Sequence, residues 1–136
     1  MKAFSLETLI KSLAIWAIIL TLAVINGALR EALLIPNVGA MPGLIFSGLL
    51  LSCLILTVTY LFLPWLGVNN APHLVLVGLF WLILTLIFES SFGLARGLTI
   101  AEILSAYTFK GGNIWPVVLM VTTTAPWVAA KFRGLL

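Results

Sequence analysis

The stretch "PHLVLVGLFWLILTLIFESSFGLARG", Pro72 to Gly97, decides the fold of this chain. Between Pro72 and Glu89 it contains no ionisable side chain except His73. An apolar run of this length can cross the hydrocarbon core of a bilayer as a single helix. The stretch therefore predicts a transmembrane helix over about residues 73–95.

The rest of the chain has the same apolar character. Of its 136 residues, 62% are hydrophobic and 8% are charged, whereas roughly 25% are charged in soluble proteins. Pro, Gly, Asn and charged residues divide the apolar residues into four blocks. We therefore expect one all-α domain over residues 1–136, an integral membrane bundle of four transmembrane helices with a short amphipathic interfacial helix between helices three and four. The predicted helices are about 6–34, 43–63, 73–95 and 114–131, with the interfacial helix at about 100–109.

Local signals set the predicted helix ends. Ser5 suits an N-cap for the first helix, and Pro36 is expected to end that helix near residue 34. Thr99 and Glu102 have the spacing of a capping box, which predicts the start of the interfacial helix.

Several function classes are disfavoured by composition. The net charge of +3 reflects seven Lys and Arg residues against four acidic residues, and the cations are scattered along the chain, so nucleic acid is not an expected partner. A single cysteine, Cys53, allows no disulfide within the chain. A single histidine, His73, cannot form a two-histidine metal or haem site. We predict no catalytic residue, no metal site and no cofactor.

A polar cluster is expected at one membrane face. With four spans, the C-terminal ends of the first and third helices emerge on the same side. A charge at the centre of a bilayer costs at least about 2.5–3.5 kcal/mol, so Arg30 and Glu89 are expected to face inwards and pair, with Asn26 as an added donor. Three roles are open for this Arg30–Glu89 pair. It is a structural clasp between helices; or it belongs to a site that binds a substrate, a lipid head group or an ion; or it contacts another subunit. The predicted polar cluster is Asn26, Arg30, Glu31, Glu89, Arg96 and Tyr107.

Small residues recur four positions apart in the second helix and at the end of the third. Such spacing allows close approach of helices in lipid, and the face on the second helix could also join copies of the chain. The predicted packing residues are Gly43, Ser47, Gly48, Ser52, Gly93 and Gly97.

The orientation prediction uses the cations near the spans. They divide into Lys2, Lys11, Lys131 and Arg133 on the side of the termini and Arg30, Arg96 and Lys110 on the other side. If carboxylates neutralise Arg30 and Arg96, the free cations lie mainly on the side of the termini. Both termini are then expected to be cytoplasmic.

Three motifs carry a family resemblance: "NGALREALLIP" at 26–36, "FESSFG" at 88–93 and "YTFKGGNIWPVVL" at 107–119. Together they resemble a family of small four-span bacterial inner-membrane proteins for which no activity is established. The resemblance implies a multi-pass protein of the bacterial inner (plasma) membrane and no particular mechanism. The positions it marks are Asn26, Arg30, Glu31, Glu89, Gly93, Tyr107 and Trp115.

The leading functional hypothesis from sequence is a non-catalytic accessory subunit or self-assembling membrane scaffold. Its expected partners are the lipid bilayer and either further copies of the chain or a larger membrane complex. The first alternative is a small oligomeric transporter or channel that uses the polar cluster as its site. The second is a membrane enzyme acting on a lipid-like substrate, which the missing nucleophile and metal residues disfavour.

Overall fold

The computed structural model describes residues 5–68, 70–105, 107–108 and 114–134. Every regular element within these residues is a helix, which confirms the all-α prediction. The elements in chain order are α1 (Leu6–Leu29), a π-helix (Arg30–Leu34), α2 (Ile35–Val38), α3 (Ala40–Leu66), α4 (Ala71–Ala95), α5 (Ile100–Ser105) and α6 (Trp115–Phe132).

Three helical stretches in the described part of the chain are long and apolar enough to cross a membrane. They are Leu6–Val38, Ala40–Leu66 and Ala71–Ala95, with 33, 27 and 25 residues. Three such helices are consistent with a multi-pass membrane protein. The shorter α6 has 18 residues, and its three Thr, two Pro and one Lys make it less apolar than the other three.

The first long helix is longer than the sequence predicted. Pro36 does not end it: the chain passes from α1 through the π-helix into α2 and stops at Gly39, where φ is +96°. Pro36 lies in the first turn of α2, where the missing N–H of proline is tolerated. The π-helix begins at Arg30, at the end of α1.

The helices α1, α3, α6 and α4 pack side by side in that order, with a weaker contact between α4 and α1. The core of this bundle includes Ile15, Leu74 and Trp81, which are almost completely buried. Where α4 crosses α6, Gly78 lies directly against the backbone carbonyl of Thr123, so the two helices approach closely.

The predicted caps are present. The Ser5 hydroxyl accepts the backbone N–H of Thr8 at 3.2 Å at the start of α1. Thr99 and Glu102 form the reciprocal capping box: each backbone N–H donates to the other side chain, at 3.0 and 3.1 Å. The helix that follows, α5, ends at Ser105 and is therefore shorter than predicted. Residues 106 and 109 of the predicted interfacial helix lie outside the described residues.

The small residues of α3 pack inside the chain. Gly43 and Ser47 are buried, and a Cβ added at Gly43 would meet the first turn of α2. Gly48 faces Ile114, just before α6, with no room for a side chain. Ser52 is buried, and its hydroxyl has no hydrogen-bond partner among the described residues. This face of α3 is therefore occupied by the chain's own helices.

The two glycines at the end of the third long helix have different surroundings. Gly93 is buried against Ile103 of α5, so its missing side chain allows α5 to pack on α4. Gly97 lies beyond the end of α4 with φ +84° and no neighbouring atom within contact distance. Its position is explained by the turn rather than by helix packing.

Candidate ligand-binding cavity

Two tryptophans join α1 to α4 at one level of the bundle. Trp81 Nε1 donates to the backbone carbonyl of Ser12 at 2.9 Å, and Trp16 Nε1 donates to Thr85 Oγ1 at 3.0 Å. Both bonds link residues 69 positions apart in sequence, so the two helices run in the same direction. Beyond this level, the residues of α1 and α4 line a cavity.

The cavity has a volume of about 330 Å³ and lies between the C-terminal halves of α1 and α4. One stripe of α1 lines it from Trp16 to Gly27 and is continued by Arg30 of the π-helix. One stripe of α4 lines it from Thr85 to Phe92 and is continued by Arg96, just after α4. Leu51 of α3 and other apolar residues of α3 and α6 form the inner wall. Small-molecule sites in proteins have volumes of about 300–1,000 Å³, so this cavity is large enough for part of a ligand.

Aromatic rings form a continuous wall on the α4 side. Phe88 meets Trp16 edge to face, with ring centroids 6.4 Å apart. Phe92 stacks on Phe88 at 5.7 Å, and the Arg96 guanidinium lies 4.8 Å from the centroid of the Phe92 ring. The wall therefore runs from an apolar interior to a cation at one end.

Glu89 contributes a carboxylate to the same cavity, and two neutral donors hold it. Glu89 Oε2 accepts the indole N–H of Trp115 at 2.6 Å and the hydroxyl of Tyr107 at 3.4 Å. Within the described residues, no donor bonds to Glu89 Oε1. Trp115 and Tyr107 fix the carboxylate through one oxygen and leave the other oxygen available.

Arg30 does not pair with Glu89. Its Nε lies 3.3 Å from the carboxylate of Glu31, the next residue in sequence, and no described carboxylate other than Glu31 lies within 4.0 Å of it. The predicted Arg30–Glu89 clasp is absent for a physical reason. Glu89 receives its hydrogen bonds from Trp115 and Tyr107, whereas the Arg30 side chain, 31% exposed, turns to a carboxylate that is 66% exposed.

Asn26 has a different partner from the predicted one. It is buried, its Nδ2 donates to the backbone carbonyl of Ser47 at 3.2 Å, and the Ser47 hydroxyl donates back to Asn26 Oδ1. This reciprocal pair joins α1 to α3 at the edge of the cavity. Asn26 is therefore a link between helices and does not bridge Arg30 and Glu89.

The charged groups around the cavity favour a ligand with negative charge. Arg30 and Arg96 supply two cations, and Glu89 supplies one carboxylate that neutral donors already hold. Glu31 pairs with Arg30 but does not line the cavity. No three His, Cys, Asp or Glu side chains of the described residues come together as a metal site.

Tyr107 is half-buried beside Glu89 and lies outside the three long apolar helices. Burial raises the pKa of the Tyr107 phenol above its usual range, and the negative charge of Glu89 raises this pKa further. Tyr107 is therefore a hydrogen-bond donor to Glu89 throughout the neutral pH range.

Several cavity residues are absent from the polar cluster that the sequence predicted. These are chiefly Trp16, Thr85, Phe88 and Phe92. Their signal is present in the sequence as helical spacing: Thr85 lies four residues before Glu89, and Phe92 and Arg96 lie three and seven residues after it. Because apolar residues occur on every side of this helix, the spacing does not distinguish a cavity face from a core face.

Comparison of the chain with protein families, with characterised proteins and with solved structures gives no match.

Proposed function

We propose that the chain is a non-catalytic integral membrane protein that binds an amphipathic, lipid-like molecule in the cavity between α1 and α4. The observation that carries the proposal is the combination of an aromatic wall, formed by Trp16, Phe88 and Phe92, with charged groups at its edge. An amphipathic molecule matches both parts, because its chain packs on the rings while its head group reaches Arg30, Arg96 or Glu89.

The cavity supports binding more than it supports the accessory or scaffold role favoured by sequence. A purely structural Arg30–Glu89 clasp would leave those two groups with no capacity for a ligand, but the two residues are not paired with each other. The small residues of α3, which could have joined copies of the chain, pack against α2 and Ile114. Assembly with further copies or with another membrane protein remains a separate proposal, which the mass of the purified complex tests.

A transporter that moves the same molecule is the second candidate. The observation that favours it is the π-helix beginning at Arg30, at the edge of the cavity. π-Segments are rare and frequently occur at functional sites. Reconstitution into vesicles tests this candidate: a transporter accelerates movement of a fluorescent lipid between leaflets, and Gly27→Leu abolishes that acceleration. If the protein does not accelerate lipid movement over protein-free vesicles, transport is contradicted. Binding is then tested separately by the next experiment.

Binding is tested by filling the cavity. A Cβ added at Gly27 meets only the Arg30 side chain, at 3.6 Å, so Gly27→Leu places a side chain in the cavity with little strain in α1. Ala17→Leu is the matched control, because Ala17 is exposed on the same helix. We expect a photoreactive lipid, present at trace level in nanodiscs, to label cavity peptides in the unmodified protein and in Ala17→Leu. Labelling of those peptides that Gly27→Leu does not reduce would contradict the proposal.

We further propose four spans, with α6 as the fourth, and cytoplasmic termini in a bacterial plasma membrane. The 18 residues of α6 extend for about 27 Å at 1.5 Å per residue, and tryptophans lie near both ends. The location in a bacterial membrane rests on the sequence resemblance alone. Among the described residues Arg96 has no carboxylate within 4.0 Å, so the expected neutralisation of both Arg30 and Arg96 does not occur. Lys11, Lys131 and Arg133 still outnumber Arg30 and Arg96. This supports cytoplasmic termini, because positive residues accumulate on that side. Lys2 and Lys110, the other two cations of the orientation prediction, lie outside the described residues.

Cysteine labelling tests this topology in a Cys53→Ala background. Ser5→Cys, Ala101→Cys and Phe132→Cys introduce exposed thiols before α1, in α5 and at the end of α6. With four spans and cytoplasmic termini, an impermeant maleimide added to intact cells labels only Ala101→Cys. If α6 does not cross, residues 101 and 132 lie on the same side and react alike, which would overturn the fourth span.

A further inference from the structure

The charged groups of the cavity also indicate the head group of its ligand, an inference that rests on the proposed function. We infer that the ligand is a phospholipid whose head group carries a hydrogen-bond donor. Its phosphate lies at Arg30 and Arg96, and its hydroxyl or ammonium group donates to Glu89 Oε1.

The two arginines provide the case for phosphate. Arg96 follows the last residue of α4, packs over the Phe92 ring and has no carboxylate within 4.0 Å among the described residues. Among the described residues, Glu31 is the one carboxylate that pairs with Arg30, and such an exposed pair is weak. A guanidinium presents a planar set of donors that matches the oxygens of a phosphate. Two guanidiniums on one cavity therefore select an anion over a neutral head group.

Glu89 provides the case for a donor on the head group. A ligand with only negative charge would be repelled by this carboxylate, which lines the same cavity as the two arginines. Trp115 and Tyr107 occupy Glu89 Oε2, so Oε1 is the atom that a ligand can reach. The ammonium of phosphatidylethanolamine and the hydroxyls of phosphatidylglycerol supply a donor next to their phosphate, whereas phosphatidylcholine does not.

The aromatic wall and the size of the cavity place the rest of the lipid. The wall of Trp16, Phe88 and Phe92 is apolar and leads away from Arg96. A volume of about 330 Å³ lies near the lower limit for sites that enclose a drug-sized molecule. The cavity therefore holds the head group and the first part of a chain, and the remaining chain lies between α1 and α4 in the bilayer.

Four lipid probes that differ only in head group test this inference. Photoreactive acyl-chain analogues of phosphatidylethanolamine, phosphatidylglycerol, phosphatidylcholine and diacylglycerol are compared at equal mole fraction in nanodiscs. We expect phosphatidylethanolamine and phosphatidylglycerol to label cavity peptides about tenfold more than diacylglycerol, since one charge-assisted hydrogen bond corresponds to roughly a factor of ten in affinity. Phosphatidylcholine is expected to be intermediate, because it offers the phosphate without the donor.

Arg96→Gln is the deciding variant, because Arg96 is exposed beyond the end of α4 and its replacement leaves the core intact. It is expected to lose most of the preference for phosphate-bearing lipids over diacylglycerol. Arg133→Gln is the matched control: Arg133 also packs over an aromatic ring, that of Tyr60 at 4.5 Å, but lies outside the cavity. Its labelling pattern should equal that of the unmodified protein.

The outcomes separate this inference from the proposed function. If diacylglycerol labels the cavity as strongly as the phospholipids and Gly27→Leu blocks all four probes, binding stands and the phosphate assignment is overturned. If phosphatidylcholine equals phosphatidylethanolamine, the donor to Glu89 is overturned. If no probe labels the cavity in a way that Gly27→Leu reduces, the inference and the proposed function both fail.

Discussion

Trp115 Nε1 donates a 2.6 Å hydrogen bond to Glu89 Oε2 and thereby ties the first turn of α6 to α4 at the cavity. The two residues are 26 positions apart in sequence. This bond fixes the position of Glu89, the only carboxylate among the described residues that line the cavity. The second hydrogen bond to Glu89, from Tyr107, is longer, at 3.4 Å.

Trp115→Phe is expected to lower the free energy of unfolding by about 1 kcal/mol, since it leaves a half-buried carboxylate with one fewer donor. The loss should shrink when Glu89 is first replaced by Leu, because the partner is then absent. Reversible unfolding in mixed micelles measures both effects. Trp127→Phe, outside the cavity, is the control for loss of an indole, and equal losses in both Glu89 backgrounds would contradict the bond.

Asn26→Ala and Ser47→Ala should each destabilise the protein, because each removes one side of the buried link between α1 and α3. Hydrogen bonds between transmembrane helices contribute about 0.6 kcal/mol on average and at most about 1.7 kcal/mol, so a coupling energy in this range is expected. A double-mutant cycle in the same unfolding assay gives that energy. Asn37→Ala is the control, since the Asn37 side chain donates to the Leu33 carbonyl of its own exposed turn and does not link two of the described helices. Additive losses from the pair would show that they do not interact.

Gly78→Ala is expected to cost about 1–3 kcal/mol, the usual range for overpacking, because its Cβ would clash with the Thr123 carbonyl. Gly27→Ala, in contrast, should raise the free energy of unfolding. Its Cβ is in ordinary contact with Arg30 only, and alanine favours a helix by up to about 1 kcal/mol over glycine. Thermal unfolding of the two variants measures the difference. A tolerated Gly78→Ala would contradict the close crossing of α4 and α6.

The charge-reversal pair Arg30→Glu with Glu89→Arg should not recover stability lost in the single variants. The two side chains are not paired, and Arg30 contacts Glu31 instead. Glu31→Gln should change stability by less than about 1 kcal/mol, because exposed ion pairs contribute little. Unfolding of the three reversal variants checks this point. Recovery of stability in the double variant would instead support the Arg30–Glu89 pair that the sequence predicted.

Tyr107 should ionise at higher pH than a free tyrosine, whose pKa is about 10, because burial and the charge of Glu89 raise the pKa of its phenol. A pKa raised on folding means that the folded state holds the proton more tightly. This contribution to stability is complete below pH 10 and is lost as the pH rises through the folded pKa. Ultraviolet difference titration of the unmodified protein against Tyr107→Phe gives the pKa.

Glu89→Gln should lower the pKa of Tyr107 only in part, since burial is the larger cause. Glu31→Gln is the control and should leave the Tyr107 titration unchanged. A Tyr107 that titrates like free tyrosine in the unmodified protein would show that it does not lie beside Glu89.

Helix type and several helix ends followed from the sequence. The apolar run after Pro72 predicted α4, and the capping signals at Ser5 and Thr99 are present as predicted. These features depend on residues close together in sequence, so local patterns are sufficient for them. The passage of the first helix through Pro36 did not follow, because a proline signals a helix end unless it lies in a first turn.

The sequence by itself determined an all-helical chain, and three of its four predicted helices are long and apolar enough to cross a membrane. It did so because hydrophobic length and local caps depend on neighbouring positions. The tertiary structure alone decided which polar groups meet: Glu89 with Trp115 and Tyr107, Asn26 with Ser47, and Arg30 with Glu31. The rotation of each helix about its axis and the close approach of α4 to α6 select these partners. Hydrophobic periodicity in the sequence predicts neither of them when apolar residues occur on every face of a helix.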